Sequence, residues 1–91
     1  MTKRVNLTVS GLVQSVGFRM FIDRAANELK LSGWVRNRPD GKVEIEVQGP
    51  EELIEELVRR AEKGPSRSRV TSIRKEERAP LGGIGGFTVI V

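Results

Sequence analysis

A chain of 91 residues with no cysteine and no histidine must do any chemistry without thiolates or imidazoles. Disulfides, cysteine nucleophiles, histidine bases and most zinc or transition-metal sites are excluded together. Two stretches hold residue types that could act instead. The first, Gly11-Leu12-Val13-Gln14-Ser15-Val16-Gly17-Phe18-Arg19, joins an alternating segment to a helical one and brings an arginine into the first residues of the helix. The second is Asn37, at the end of Gly33-Trp34-Val35-Arg36-Asn37. A loop that opens a helix offers free backbone N–H groups and the positive end of the helix dipole. A guanidinium beside them adds charge-assisted hydrogen bonds, so the set can hold a phosphoryl group without a metal.

On spacing alone each stretch has a second reading. Gly11 and Gly17 permit backbone angles that other residues resist. No Ser, Thr, Asp or Asn stands immediately before the helix, which leaves its first N–H groups open to a ligand. A cation in the first turn is disfavoured by the dipole unless an anion is present. The alternative is a plain connection with Arg19 paired to Asp23 one turn on. Asn37 precedes a tight turn, where an asparagine ordinarily bonds local backbone; its amide could instead position a water.

Other signals carry less. The 11–19 loop lacks the glycine spacing and the Lys-Ser/Thr ending of a Walker loop. Gly82-Gly83-Ile84-Gly85-Gly86 has too few residues after it for a dinucleotide-binding helix and reads as a hairpin connection. Glu44 and Glu46 fall on the outward face of a strand, and Glu51, Glu52, Glu55 and Glu56 serve a helix start, so no metal-like cluster emerges. Asn6-Leu7-Thr8 matches a glycosylation acceptor but lies in a strand of a chain without a signal peptide.

These groups must be positioned by a small set of elements. Val5, Leu7 and Val9 alternate with polar residues, as in a half-buried strand. Phe18, Ile22, Ala25, Ala26 and Leu29 fall on one helical face that ends near Ser32-Gly33. Trp34–Arg36 and Lys42–Gln48 read as two strands of a hairpin around Arg38-Pro39-Asp40-Gly41. Gly49-Pro50-Glu51-Glu52 opens a second helix, with Leu53, Ile54, Leu57, Val58 and Ala61 as its buried stripe. Val70–Glu76 and Phe87–Val91 are read as a fourth and a short fifth strand. The order βαββαβ plus a terminal strand, with right-handed crossovers laying both helices on one face, predicts an α+β ferredoxin-like sandwich with a mostly antiparallel sheet. One domain over 1–91 is expected.

The net charge of +4 favours anionic partners. The late cluster of Arg59, Arg60, Lys63, Arg67, Arg69, Arg74, Lys75 and Arg78 reads as a solvated basic face or as a nucleic-acid footprint. No apolar run is long enough to cross a bilayer, and cytoplasmic placement is the expectation.

Gly11–Arg19 closely resembles the acylphosphatase signature, whose usual form has Gly where this chain has Ser15. Gly33-Trp34-Val35-Arg36-Asn37 followed by Pro39-Asp40-Gly41 resembles the second signature of that family. Gly64-Pro65, Arg69-Val70 and Gly86-Phe87 are similar to its later landmarks. The resemblance implies hydrolysis of the carboxyl–phosphate bond of a small acyl phosphate, with no metal or other cofactor. It also implies that Arg19 and the backbone N–H groups of Gln14, Ser15, Val16, Gly17, Phe18 and Arg19 bind the phosphoryl oxygens, while Asn37 holds the attacking water. If position 15 needs a positive φ, Ser15 carries strain that Gly would avoid; its hydroxyl is also a candidate phosphate donor.

The competing readings are a nucleic-acid module and a non-catalytic or detached domain of the same fold. Sheets of this topology that bind RNA stack bases on outward aromatics. The outward positions Asn6, Thr8, Lys42, Glu44 and Glu46 carry none, so a nucleic-acid partner is not expected. Nor is a membrane partner, and a monomer is.

Overall fold

The computed structural model describes residues 1–91. The chain runs β1 (Thr2–Leu12), α1 (Phe18–Glu28), β2 (Ser32–Asn37), β3 (Val43–Pro50), α2 (Glu51–Lys63), β4 (Arg69–Arg78) and β5 (Phe87–Ile90). The sheet has the order β4-β1-β3-β2-β5. β1 is antiparallel to β3 and β4, β2 is antiparallel to β3, and β5 is parallel to β2. This is the expected α+β ferredoxin-like arrangement with an added terminal strand.

Alternation in the strands sorts their side chains by face. Val5, Leu7, Val9, Val35, Val43, Ile45 and Val47 are buried on one face, where Phe18, Ile22, Ala25 and Ala26 of α1 and Ile54, Leu57 and Ala61 of α2 complete the core. Burying each larger side chain contributes roughly 1.5–3 kcal/mol, which holds a short chain together in the absence of disulfides.

The opposite face is a polar network. Arg4 Nε donates to Glu46 Oε2 at 2.8 Å, and Asn6 Nδ2 donates to Glu46 Oε1 and Glu44 Oε2, both at 2.8 Å. Arg36 closes the row through Nε and Nη2 on Glu44 Oε1, at 2.9 and 2.6 Å. Its guanidinium also stands 5.9 Å from the Trp34 ring centroid. Arg4 and Asn6 are buried, at 6 and 5 % exposure, and this is permitted because their donors are satisfied.

Four local expectations need correction. The first helix ends at Glu28, before Ser32-Gly33, because Lys30 turns left-handed (φ 57) and its N–H returns to Asn27 O. Lys42 belongs to the turn, its N–H bonded to Asp40 Oδ1 at 3.1 Å, and β3 starts at Val43. The fourth strand is longer than Val70–Glu76, since pairing with β1 runs from Leu12↔Arg69 to Arg4↔Arg78. The segment from Ala79 to Gly86 is not a hairpin connection, because β4 and β5 lie on opposite edges of the sheet. It crosses the end of the sheet, tied by Gln48 Nε2 to Leu81 O (2.8 Å), Leu81 N to Gln48 Oε1 (2.9 Å) and Gly33 N to Gly86 O (3.0 Å). The apolar Phe87 is buried beside β2, at 6 % exposure, whereas β4 forms the opposite and mostly exposed edge.

Candidate active site

The site begins where β1 stops pairing regularly. A bulge shifts the β1–β4 register between Ser10 and Gly11. Gly11 has φ 124, and a Cβ there would collide with the Arg69 carbonyl, so only glycine lets the strand bend at this point. Val13 is buried and anchors the departing chain in the core.

The loop then adopts left-handed backbone at Ser15 (φ 62) and at Gly17 (φ 80, ψ 15), the N-cap of α1. Gly17 provides no side-chain cap. The first backbone donor on the helical side is Phe21, to Gly17 O at 3.0 Å, and no N–H from Gln14 to Met20 donates a hydrogen bond within the protein. Successive free N–H groups around left-handed residues form an anion-binding concavity, here coincident with the positive end of a helix dipole.

Two side chains fix this loop relative to the sheet. Gln14 Nε2 donates to Arg38 O at 2.7 Å and Lys42 O at 3.0 Å, clamping the loop onto the β2–β3 hairpin. Arg19 Nη1 donates to Ile90 O at 3.1 Å. It is not paired with Asp23, whose Oδ1 accepts from Asn27 Nδ2 instead. Because Ile90 lies opposite Arg36 in the parallel β2–β5 pair, this bond brings the guanidinium beside the end of β2, where Asn37 sits.

Asn37 does not serve the turn. The turn is closed by Arg38 N to Lys42 O (2.8 Å), Gly41 N to Arg38 O (3.1 Å) and the Asp40 carboxylate. That backbone bond from Lys42 holds the Asp40 carboxyl below its ordinary value against the opposing effect of burial, with help from the charges of Arg38 and Lys42. The Asn37 Oδ1 is buried and has no hydrogen-bond partner in the protein. An orphan acceptor of this kind costs on the order of 1–3 kcal/mol.

Ser15, Gly17, Phe18, Arg19 and Asn37 come together with Val13 and Met20 around a cavity of about 100 Å³. Gln14 and Val16 do not line it: the Gln14 side chain is engaged with the hairpin, and Val16 packs against the core. Val13 and Met20 were not singled out from the sequence. Met20 could have been, since it lies three residues after Gly17, on the same helical face. Arg19 is the one ionisable lining residue. No group of three or more His, Cys, Asp or Glu side chains stands close enough anywhere to hold a metal ion, and no helix is long and apolar enough to cross a membrane.

Known proteins resemble this chain in sequence and in fold. A family model described as Acylphosphatase matches residues 5–89. The acylphosphatase of Chlorobaculum tepidum is 59 % identical over 75 residues, 82 % of each chain. The crystal structure of acylphosphatase from Bacillus subtilis superposes with a TM-score of 0.94 at 40 % identity, covering 100 % of both chains. The same fold also matches 12 % of the much longer T. kodakarensis HypF, at TM-score 0.85 and 39 % identity over 98 % of this chain. With the family model spanning nearly every element and a relative this similar, the chain belongs to the acylphosphatase family.

Proposed function

We propose that this protein hydrolyses the carboxyl–phosphate bond of small acyl phosphates at the cavity between the 13–20 segment and Asn37. The phosphoryl oxygens accept hydrogen bonds from the loop N–H groups and from the Arg19 guanidinium, whose remaining donors are not engaged within the protein. Asn37 Oδ1 accepts a hydrogen bond from the attacking water and orients it. The observation that carries this reading is the buried, unpartnered Asn37 Oδ1 in the wall of an N–H-rich cavity.

The reaction suits so sparse a site. Water oxygen forms a bond to phosphorus as the bond from phosphorus to the acyl oxygen breaks, and the electron pair leaves on the carboxylate. An acyl phosphate dianion and water thus give one carboxylate and one dihydrogen phosphate, with both water protons ending on phosphate oxygens. The departing carboxylate is a weak base, its acid titrating near 4, so no general acid is needed. What remains is to align the water and neutralise charge on the equatorial oxygens, tasks of positioning and electrostatics.

In this reading the protein is one domain over 1–91, acts as a cytoplasmic monomer, and needs neither metal nor nucleic-acid partner. The test follows loss of benzoyl phosphate absorbance in the presence of a chelator. Wild type should turn over, Arg19→Ala should fall on the order of 10³-fold or more by analogy with arginine fingers, and Asn37→Ala should lose nearly all activity. Absence of turnover by folded wild type overturns the proposal.

A further inference from the structure

We infer that Lys42 and Arg69 form, with Arg67, a cationic rim that draws the dianionic substrate to the cavity. These residues set the efficiency of capture and leave the chemical step alone. The inference rests on the hydrolytic reading above and adds residues that do not themselves line the cavity.

Two segments flank the 13–20 loop. One is the hairpin turn 38–42, whose Arg38 and Lys42 carbonyls both accept from Gln14 Nε2, next to the lining residue Ser15. The other is the turn 64–69 between α2 and β4. At its end Arg69 stands opposite Leu12, one residue before the lining residue Val13. At its start Gly64 lies so near the lining residue Phe18 that a Cβ there would be 3.2 Å from Phe18 Cε2.

Together these segments hold Arg38, Lys42, Arg67 and Arg69 against a single acid, Asp40. Asp40 is spent on Arg38, at 3.1 Å. Lys42, Arg67 and Arg69 are exposed, and their side chains form no ion pair or hydrogen bond within the protein, whereas Arg59, Arg60, Arg74 and Arg78 each face a glutamate. The acids Glu51, Glu52 and Glu55 open α2 only after β3 has run from Val43 to Pro50, roughly 24 Å along the sheet at about 3.4 Å per residue. Unpaired like charges around one opening repel each other and add nothing to the fold. What they supply is a positive potential in front of a cavity suited to a dianion. Such attraction acts through space and weakens with salt. Substrate and transition state feel it alike, so it lowers KM without changing kcat.

The experiment measures kcat and KM for benzoyl phosphate from about 10 mM to about 1 M sodium chloride, over which the screening length falls from about 30 Å to about 3 Å. Wild type is compared with Lys42→Gln/Arg69→Gln and with Lys30→Gln/Lys75→Gln. The second pair removes the same charge from exposed positions remote from the cavity: Lys75 stands opposite Leu7, further back along β1 than Leu12, and Lys30 precedes the end of β2 opposite Asn37. At low salt the rim variant should fall about three- to tenfold in kcat/KM, through KM, with kcat within about twofold of wild type. That deficit should close to within about 1.5-fold at high salt, and the melting temperature should not drop. The remote variant should stay within about twofold throughout. A deficit that persists at high salt, one that appears in kcat, or an equal loss in the remote variant overturns the inference while leaving hydrolysis intact. Failure of wild type to turn over at any salt concentration overturns the hydrolytic reading itself, and this inference with it.

Discussion

Ser15 shows how a single residue can record a compromise. Its φ of 62 lies where a side chain crowds the backbone, at a cost of roughly 1–2 kcal/mol for residues other than glycine. The neighbouring requirement is met by a true glycine, Gly17, at φ 80. Both positions line one cavity, and neither N–H donates within the protein, so the strain belongs to the shape of the cradle. Ser15→Gly removes the strain but also loosens the unfolded chain, which offsets part of the gain. A net stabilisation of about 0.5–1 kcal/mol is expected from these two terms, measurable by urea unfolding. A destabilised variant would mean that the hydroxyl, and not the backbone, dominates at this position. The same scale accounts for Asn37: an amide that serves no turn and leaves its oxygen buried without a partner is costly to the fold, as is usual where a site is kept ready for a ligand.

At the scale of elements, the site is an agreement among β1, α1, the β2–β3 hairpin and β5. Gln14 supplies the tie between loop and hairpin through two backbone carbonyls, and it does so without lining the cavity. Gln14→Ala should therefore act through position. Two hydrogen bonds are lost, for about 1–3 kcal/mol in stability, and a water held on Asn37 is no longer aligned with a phosphoryl group on the loop. A misplacement near 1 Å can cost about 100-fold in rate. We expect kcat to fall more than KM rises, whereas a purely structural role would lower only the melting temperature. The crossing segment 79–86 works on the same scale. By carrying β5 to the far edge of the sheet, it delivers the Ile90 carbonyl that Arg19 bonds.

Across the whole molecule, charge is balanced by placement. Much of the basic surface is paired: Arg59 and Arg60 with Glu56, Arg60 also with Glu28, and Arg74 and Arg78 with Glu76. Exposed pairs of this kind contribute little individually. The row across the open face of the sheet is better shielded and should govern acid stability. Burial pushes the Glu44 carboxyl up, but hydrogen bonds from Asn6 and Arg36 together with the charges of Arg36 and Arg38 outweigh it and hold the carboxyl below its ordinary value of 4.5. A carboxylate with a depressed folded value stabilises the protein above its unfolded value, and that stability is lost as pH falls through the folded value. The gap in melting temperature between wild type and Glu44→Gln should thus be constant at neutral pH and narrow below about pH 4.5, the unfolded value in this linkage argument. A gap that persists unchanged at pH 3 would assign the effect to packing.

Local residue patterns specify most of each element and the chemistry available to it. Alternation at Val5, Leu7 and Val9 and the helical spacing of Phe18, Ile22, Ala25 and Ala26 are local patterns, and each element needs only its own residues to specify which face is apolar. The absence of histidine and cysteine and the two signatures around Arg19 and Asn37 were equally legible. Whatever depends on partners distant in sequence is fixed only when the chain has folded. Nothing near Gln14 identifies the carbonyls 24 and 28 residues away, and Arg19 finds its acceptor 71 residues along the chain. The edge taken by β5 was misread for the same reason: a glycine-rich connection permits either edge, and the burial of Phe87 beside β2 exists only once the sheet and α1 have assembled.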